Sequence, residues 1–243
     1  MNKNFEIQEL AIAITAKNLK PTIITPDVLK STGIIPQDWE LAREPVFNNF
    51  VVQLFYKTGV GIVAQPNNVT VVEVVGKRKL VDIQIPKITQ QLVEKLSQIE
   101  YQRVGINPRG FVTFNSEAEA YQYINGKLLS PGAWQEFQGA KVNAALQLSY
   151  PLQGGVLNVN INQANVQFPE KVVPAILFSG NYNYALAGNN AAEKLQSLQQ
   201  VISNWQGSVN TFQKLLAENF FPSNETVVEA PRNISVFPPI ANS

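Results

Sequence analysis

The chain has no histidine and no cysteine, and only one methionine. Without histidine there is no side chain of ordinary pKa near neutrality to serve as general base, no Ser-His-Asp triad, and none of the commonest metal ligand. Without cysteine there are no disulfides, no thiolate nucleophile, no zinc knuckle and no iron–sulfur ligation. Glycine-rich phosphate loops are missing too, since neither GxGxxG nor GxxxxGK[ST] occurs. An excess of one charge sign is also lacking: 19 Lys+Arg face 18 Asp+Glu, a net charge of +1. That balance produces no phosphate-seeking field, so no nucleic-acid partner is expected. No run reaches the ~20 apolar residues of a membrane span. The opening residues Met1 to Gln8 lack the apolar core of a secretion signal. The expectation is a soluble, cytoplasmic protein without metal or cofactor. On that reading the Asn-x-Ser/Thr sequons at Asn68, Asn224 and Asn233 are coincidental.

What the chain does have is amide. Its 25 Asn and 21 Gln together outnumber its charged residues, so neutral hydrogen-bonding groups carry most of the polar surface. The 45% hydrophobic content of 243 residues suffices for a sizeable core.

Phe5–Thr15 alternates as a strand, and Thr25-Pro26-Asp27 opens a short helix with Thr as N-cap and Pro at the first helical position. Phe47–Tyr56, Gly61–Gln65 and Val69–Val75 read as three strands, the last two joined by a turn at Pro66-Asn67-Asn68. Pro86 begins a helix whose stripe is Ile88, Leu92, Leu96 and Ile99. The order then recurs. Tyr101–Phe114 reads as a strand broken at Asn107-Pro108-Arg109-Gly110, a helix follows Asn115-Ser116-Glu117, and strands are expected near 141–150, 155–162 and 171–179. A long helix opens at Asn189-Asn190 and runs to Phe220.

Residue matches support a duplication. Val52-Gln-Leu-Phe-Tyr56 aligns with Leu146-Gln-Leu-Ser-Tyr150 at an offset of 94, as does Gly61-Ile-Val63 with Gly155-Val-Leu157. Pro36-x-x-Trp39 meets Pro131-x-x-Trp134 at an offset of 95. The expected fold is α+β: two β-α-β-β-β-α repeats in one largely antiparallel, twisted sheet with helices on one side. That layout resembles the TATA-binding-protein-like saddle, although three strands follow the first helix where that fold has four. The alternative is two halves closed face to face into a pseudo-barrel. The organisation read from this is a first repeat over 1–100, a second over 101–221 and a Pro-rich tail over 222–243.

In the last helix Leu195, Leu198, Ile202, Trp205, Val209, Phe212 and Leu216 repeat at spacings of three and four. Val201 and Leu215 widen the stripe, which suits packing on a sheet more than a coiled-coil seam. Gly207 marks a kink or break. The two Pro-x-x-Trp tryptophans are expected to plug matching corners of the core. Asp38, Glu40, Glu44 and Arg43 read as a solvated helical face, and Tyr182-Asn183-Tyr184 as a rim loop.

The candidate interaction surface has two parts. On the strand at 155–162, Leu157, Val159 and Ile161 point one way and Asn158, Asn160 and Asn162 the other, giving a neutral platform for a protein, peptide or glycan. In the tail, Phe237 and Ile240 lie in the apolar cluster Val236-Phe-Pro-Pro-Ile240.

Val60-Gly-Ile-Val-Ala-Gln-Pro-Asn-Asn-Val69, followed by an apolar strand, and Tyr101-Gln-Arg-Val-Gly-Ile-Asn107 after a helix together resemble a family of uncharacterised, largely cyanobacterial proteins. The layout is also similar to a broader, sporadically distributed bacterial family with an Arg-Tyr-Ile-Asn strand theme and a Phe-x-x-Leu helix end, here Phe212-Gln-Lys-Leu215. The resemblance implies an architecture and carries over no activity. The functional expectation is therefore a non-enzymatic interaction or assembly protein, with a protein partner or self-association. The alternative is a binder of an apolar or neutral small molecule.

Overall fold

The computed structural model describes residues 5–222, so Phe237 and Ile240 lie outside the described residues. Strand β1 (Glu6–Lys17) is followed by α1 (Pro26–Ser31), β2 (Val46–Phe47), β3 (Val52–Phe55), β4 (Val60–Gln65), β5 (Asn68–Val74) and α2 (Ile85–Lys95). The second part runs β6 (Glu100–Thr113), α3 (Glu117–Gln122), β7 (Glu136–Phe137), β8 (Ala140–Lys141), β9 (Leu146–Leu152), β10 (Gly155–Gln167), β11 (Val172–Ala185), α4 (Ala191–Ser203) and α5 (Trp205–Leu215). A π-helical turn extends α3 through Leu128, and another extends α5 through Phe220.

The helices begin where side-chain acceptors meet their free N–H groups. Val28 N donates to Thr25 Oγ1 (3.1 Å) at α1, and Glu193 N donates to Asn190 Oδ1 (2.9 Å) at α4. The first turn of α2 is capped from a distance: Gln84 N and Ile85 N both donate to Glu73 Oε2, at 2.7 and 3.0 Å.

Nine strands form one sheet in the order β2-β3-β4-β5-β1-β6-β11-β10-β9, and every neighbouring pair is antiparallel. All the helices lie on one side. Under them, alternate residues of the central strands are buried: Leu10, Ile12 and Ile14, then Val104 and Ile106, then Leu157, Val159 and Ile161. Leu92 of α2 and Leu198, Ile202, Val209 and Phe212 of α4 and α5 close the core. The sheet is open, with β2 and β9 as its edges, so the pseudo-barrel is not what this chain forms. The helical layer already covers the apolar face, which leaves no reason for the sheet to close on itself.

Several expectations change. The stretch 47–56 is two strands, because Asn48 Oδ1 accepts from Phe50 N (2.8 Å) and Val51 N (2.9 Å) and makes a turn. Four strands therefore follow α1. Strand β6 runs unbroken through Asn107-Pro108-Arg109-Gly110. Proline cannot donate to a ladder, and the pairing of β6 with β11 skips from Ile106↔Tyr182 to Arg109↔Ser179. Gly180 faces that gap, where a Cβ would come within 2.9 Å of the Phe212 ring and 3.1 Å of Pro108 Cγ.

Tyr182-Asn183-Tyr184 is strand, not rim loop: Tyr182 and Tyr184 stack at 5.4 Å, and the Tyr184 hydroxyl meets Ser208 Oγ at 2.8 Å. The long helix does break, at Asn204, while its expected apolar stripe packs on the core. Residues 38–44 are not helical. Leu41 instead bridges to Tyr56, Glu40 pairs with Lys57 (2.5 Å), and Arg43 stands 4.0 Å over the Phe55 ring. The tryptophans do not match either: Trp39 is buried at 7% exposure against Tyr56, whereas Trp134 is 48% exposed. The Gly61/Gly155 match also fails in register, since it sets buried Ile62 against exposed Val156.

Candidate functional site

In an antiparallel ladder, residues directly opposite one another share a face. Strand β10 places Leu157, Val159 and Ile161 in the core, so Asn158, Asn160 and Asn162 occupy the side without helices. Their cross-strand partners extend the pattern. Asn160 stands opposite Gln147 of β9 and Ser179 of β11, and Asn158 opposite Ser149 and Asn181. Beyond them, Ser179 faces Arg109 of β6, which faces Glu9 of β1. Neighbours in such a row lie roughly 4.8 Å apart, and the rows roughly 6.7 Å apart.

Some of these amides hold one another. Ser149 Oγ donates to Asn158 Oδ1 and Asn181 Nδ2 to Asn107 Oδ1, each at 2.5 Å. No side-chain hydrogen bond within the described residues engages Asn160, Asn162 or Asn183. Each free amide offers two donors and a carbonyl with two lone pairs, unchanged by pH.

The charged residues of these rows are few. Arg109 Nη1 lies 3.4 Å from Glu9 Oε1, and burial pushes the Glu9 carboxyl above its ordinary range against the opposing pull of Arg109. Arg103 stands at the end of the face opposite Thr15. Across β1 and β5 the side chains become smaller and uncharged, with Ala11 opposite Val72 and Ala13 opposite Thr70.

Sequence pattern missed two parts of this face. Beyond Asn162 it ends in a small apolar cluster of Phe111, Val166, Phe168 and Ala175, because the β10–β11 hairpin runs on past residue 162 with β11 alongside the end of β6. That Asn107, Asn181 and Ser179 share this face follows only from the pairing of β11 with β6 and β10. Arg109, in the stretch expected to break the strand, is a strand residue paired with Glu9.

Among the described residues, no group of three or more carboxylates is placed to hold a metal ion. No helix among them is long and apolar enough to cross a membrane. Comparison with known proteins found no matching protein-family model and no matching curated sequence.

Proposed function

We propose that this is a non-enzymatic interaction or assembly protein whose working surface is the helix-free face of its sheet. One observation carries the reading. Asn158, Asn160, Asn162, Asn181 and Asn183 stand on adjacent strands of one face that no helix among the described residues covers, and within those residues three of them make no side-chain hydrogen bond. Asparagine is a poor strand former, so a lattice of it in strand centres costs local stability that a purely structural surface need not sacrifice. The chemistry favours a neutral partner rich in amide or hydroxyl groups. The only guanidinium in the middle of these rows, Arg109, is matched by Glu9, which favours such a partner over a polyanion.

The duplicated, saddle-like plan belongs to the same proposal. The strand order reads β2-β3-β4-β5-β1 on one side of the β1/β6 junction and β9-β10-β11-β6 on the other. At that junction Ile12 pairs with Ile106, residues separated by the same 94 positions that relate Val52–Tyr56 to Leu146–Tyr150. The four strands after α1 remove the one departure from the saddle in the first half. The likeness to the largely cyanobacterial family is part of the proposal too, its motifs falling on β4, β5 and β6.

The test is capture of partners by the tagged full-length protein from native lysate, with and without Asn160→Asp and Asn183→Asp together. Loss of a captured partner at an unchanged thermal midpoint is the expected result. Identical capture by the variant overturns the assignment of the face, and turnover of a metabolite by the purified protein overturns the non-enzymatic reading.

A further inference from the structure

The two flanks of the sheet carry the same apolar pattern and are treated differently. On β3 the core-facing residues Val52 and Leu54, with Tyr56 just beyond, are 0%, 0% and 2% exposed. They are covered by their own chain. Trp39 packs on Tyr56 at 5.3 Å, Ala42 N donates to Phe55 O (2.7 Å), and Val46 and Phe47 pair with Gln53 and Val52. On β9 the residues at the matching positions, Leu146, Leu148 and Tyr150, remain half-buried, and within the described sheet β9 pairs only with β10.

The segment that would cover β9 in the same way exists but sits elsewhere. Pro131-x-x-Trp134 leads into the separate β7–β8 ribbon, where Trp134 is 48% and Phe137 75% exposed. It is held off by Gln135, whose Nε2 donates to Asn125 O (2.5 Å) on the π-helical turn after α3 while its Oε1 accepts from Gly132 N (3.3 Å). Among the described residues, one chain thus presents an apolar seat without an occupant and an aromatic arm without a seat. Two copies related by a two-fold axis can satisfy both, because an isologous contact presents each patch to the other's counterpart.

We propose that the β9 flank is a homodimer interface in which the Trp134–Phe137 arm of each copy covers Leu146, Leu148 and Tyr150 of the other. The edge geometry sets how the backbones meet. Leu152 and Gly155 close a two-residue hairpin, so the intervening Gln147 and Ser149 direct their N–H and C=O groups outward. Pro151, next in that outward series, has no N–H to offer and halts the ladder. Strand pairing across the axis is therefore short and centred near Ser149, and the aromatic arms supply most of the contact. This inference rests on the assembly reading above but uses the edge of the sheet and not its amide face.

Sedimentation equilibrium of the full chain from sub-micromolar to high micromolar concentration is the test, with tryptophan emission alongside. A concentration-dependent dimer is expected, with a blue shift on association that disappears in Trp134→Phe. Trp134→Ala and Phe137→Ala should each raise the dissociation constant roughly tenfold or more, as loss of a buried aromatic anchor does. Ser149→Pro should act in the same direction by removing an outward donor. Phe137 is exposed in the free chain, so Phe137→Ala leaves folding intact and keeps the test decisive if the other variants misfold. A monomer at every concentration overturns the proposal, whether Trp134 is open to quencher or shielded by its own chain. So does a dimer indifferent to all these substitutions. Asn160→Asp with Asn183→Asp should leave the dimer intact, so failure of the face and failure of the edge are read separately.

Discussion

Glu73 ties strand β5 to the start of α2. Its side chain is wholly buried between Arg78 (2.6 Å) and the two N–H groups that open α2. A buried carboxylate is tolerated when its lone pairs are filled, and here a guanidinium and a helix N-terminus fill them. Glu73→Ala should cost about 3 kcal/mol or more, as removing one member of a buried pair does, measurable by urea denaturation. Tyr56 is the opposite case. Its hydroxyl is buried with no hydrogen-bond partner among the described residues, and burial pushes its pKa from 10.0 up to about 12. The folded state therefore holds that proton more tightly than the unfolded one. Stability from this group is present below pH 10 and is lost as pH rises through 12. Tyr56→Phe should be neutral or stabilising by about 1 kcal/mol at neutral pH and should flatten the alkaline loss in denaturation midpoints. Glu9 follows the same sign. Its raised carboxyl favours the fold in acid and that favour fades as pH climbs through the folded value, so Glu9→Gln should remove this slope from stability measured across mildly acidic pH.

Among the elements, α4 and α5 show how local and tertiary rules divide the work. The spacing of Leu198, Ile202, Trp205, Val209 and Phe212 makes a helical stripe, and Asn190 starts it. The break at Asn204 re-aims α5 so that Phe212 reaches the gap above Gly180 and the edge of Phe5 (5.6 Å). Phe212→Ala should cost about 3–5 kcal/mol, and Gly180→Ala should be destabilising because its Cβ collides with that ring; thermal melts of both variants test this. Pro108 in a central strand is tolerated only because the lost donor faces Gly180, whose missing side chain leaves room for the ring. A single sequence shows a proline and predicts a break; the partner glycine lies seventy-two positions away.

For the molecule as a whole, the β1/β6 ladder joins the two parts of the sheet, and one helical layer spans both. Gln90 of α2 donates to Ser203 of α4 (2.8 Å) across that layer. Unfolding should therefore be one transition: buried Trp39 and Trp205 report from different parts, so tryptophan emission and far-UV circular dichroism should give coincident curves in urea. Separate midpoints would mean that the parts unfold independently.

The local rules carried in the sequence determined a good deal. Alternation placed β1, β4, β5 and the first half of β10, including the opposed sets Leu157/Val159/Ile161 and Asn158/Asn160/Asn162. Caps and stripes placed α1, α2 and α4, since these depend on residues within a turn of one another. Only the tertiary structure decided what depends on distant pairing: that β1 and β6 meet, that Asn181 and Ser179 join the amides of β10, that Glu73 caps α2 from another element, and that the sheet stays open. It also decided which tryptophan is buried, against the matching motifs. Trp39 finds Tyr56 beneath it, while Gln135 holds the segment of Trp134 to the π-helical turn. The sequence carries the periodicity of each face. The strand order that gathers those faces is fixed by which long-range burials the whole chain can satisfy at once.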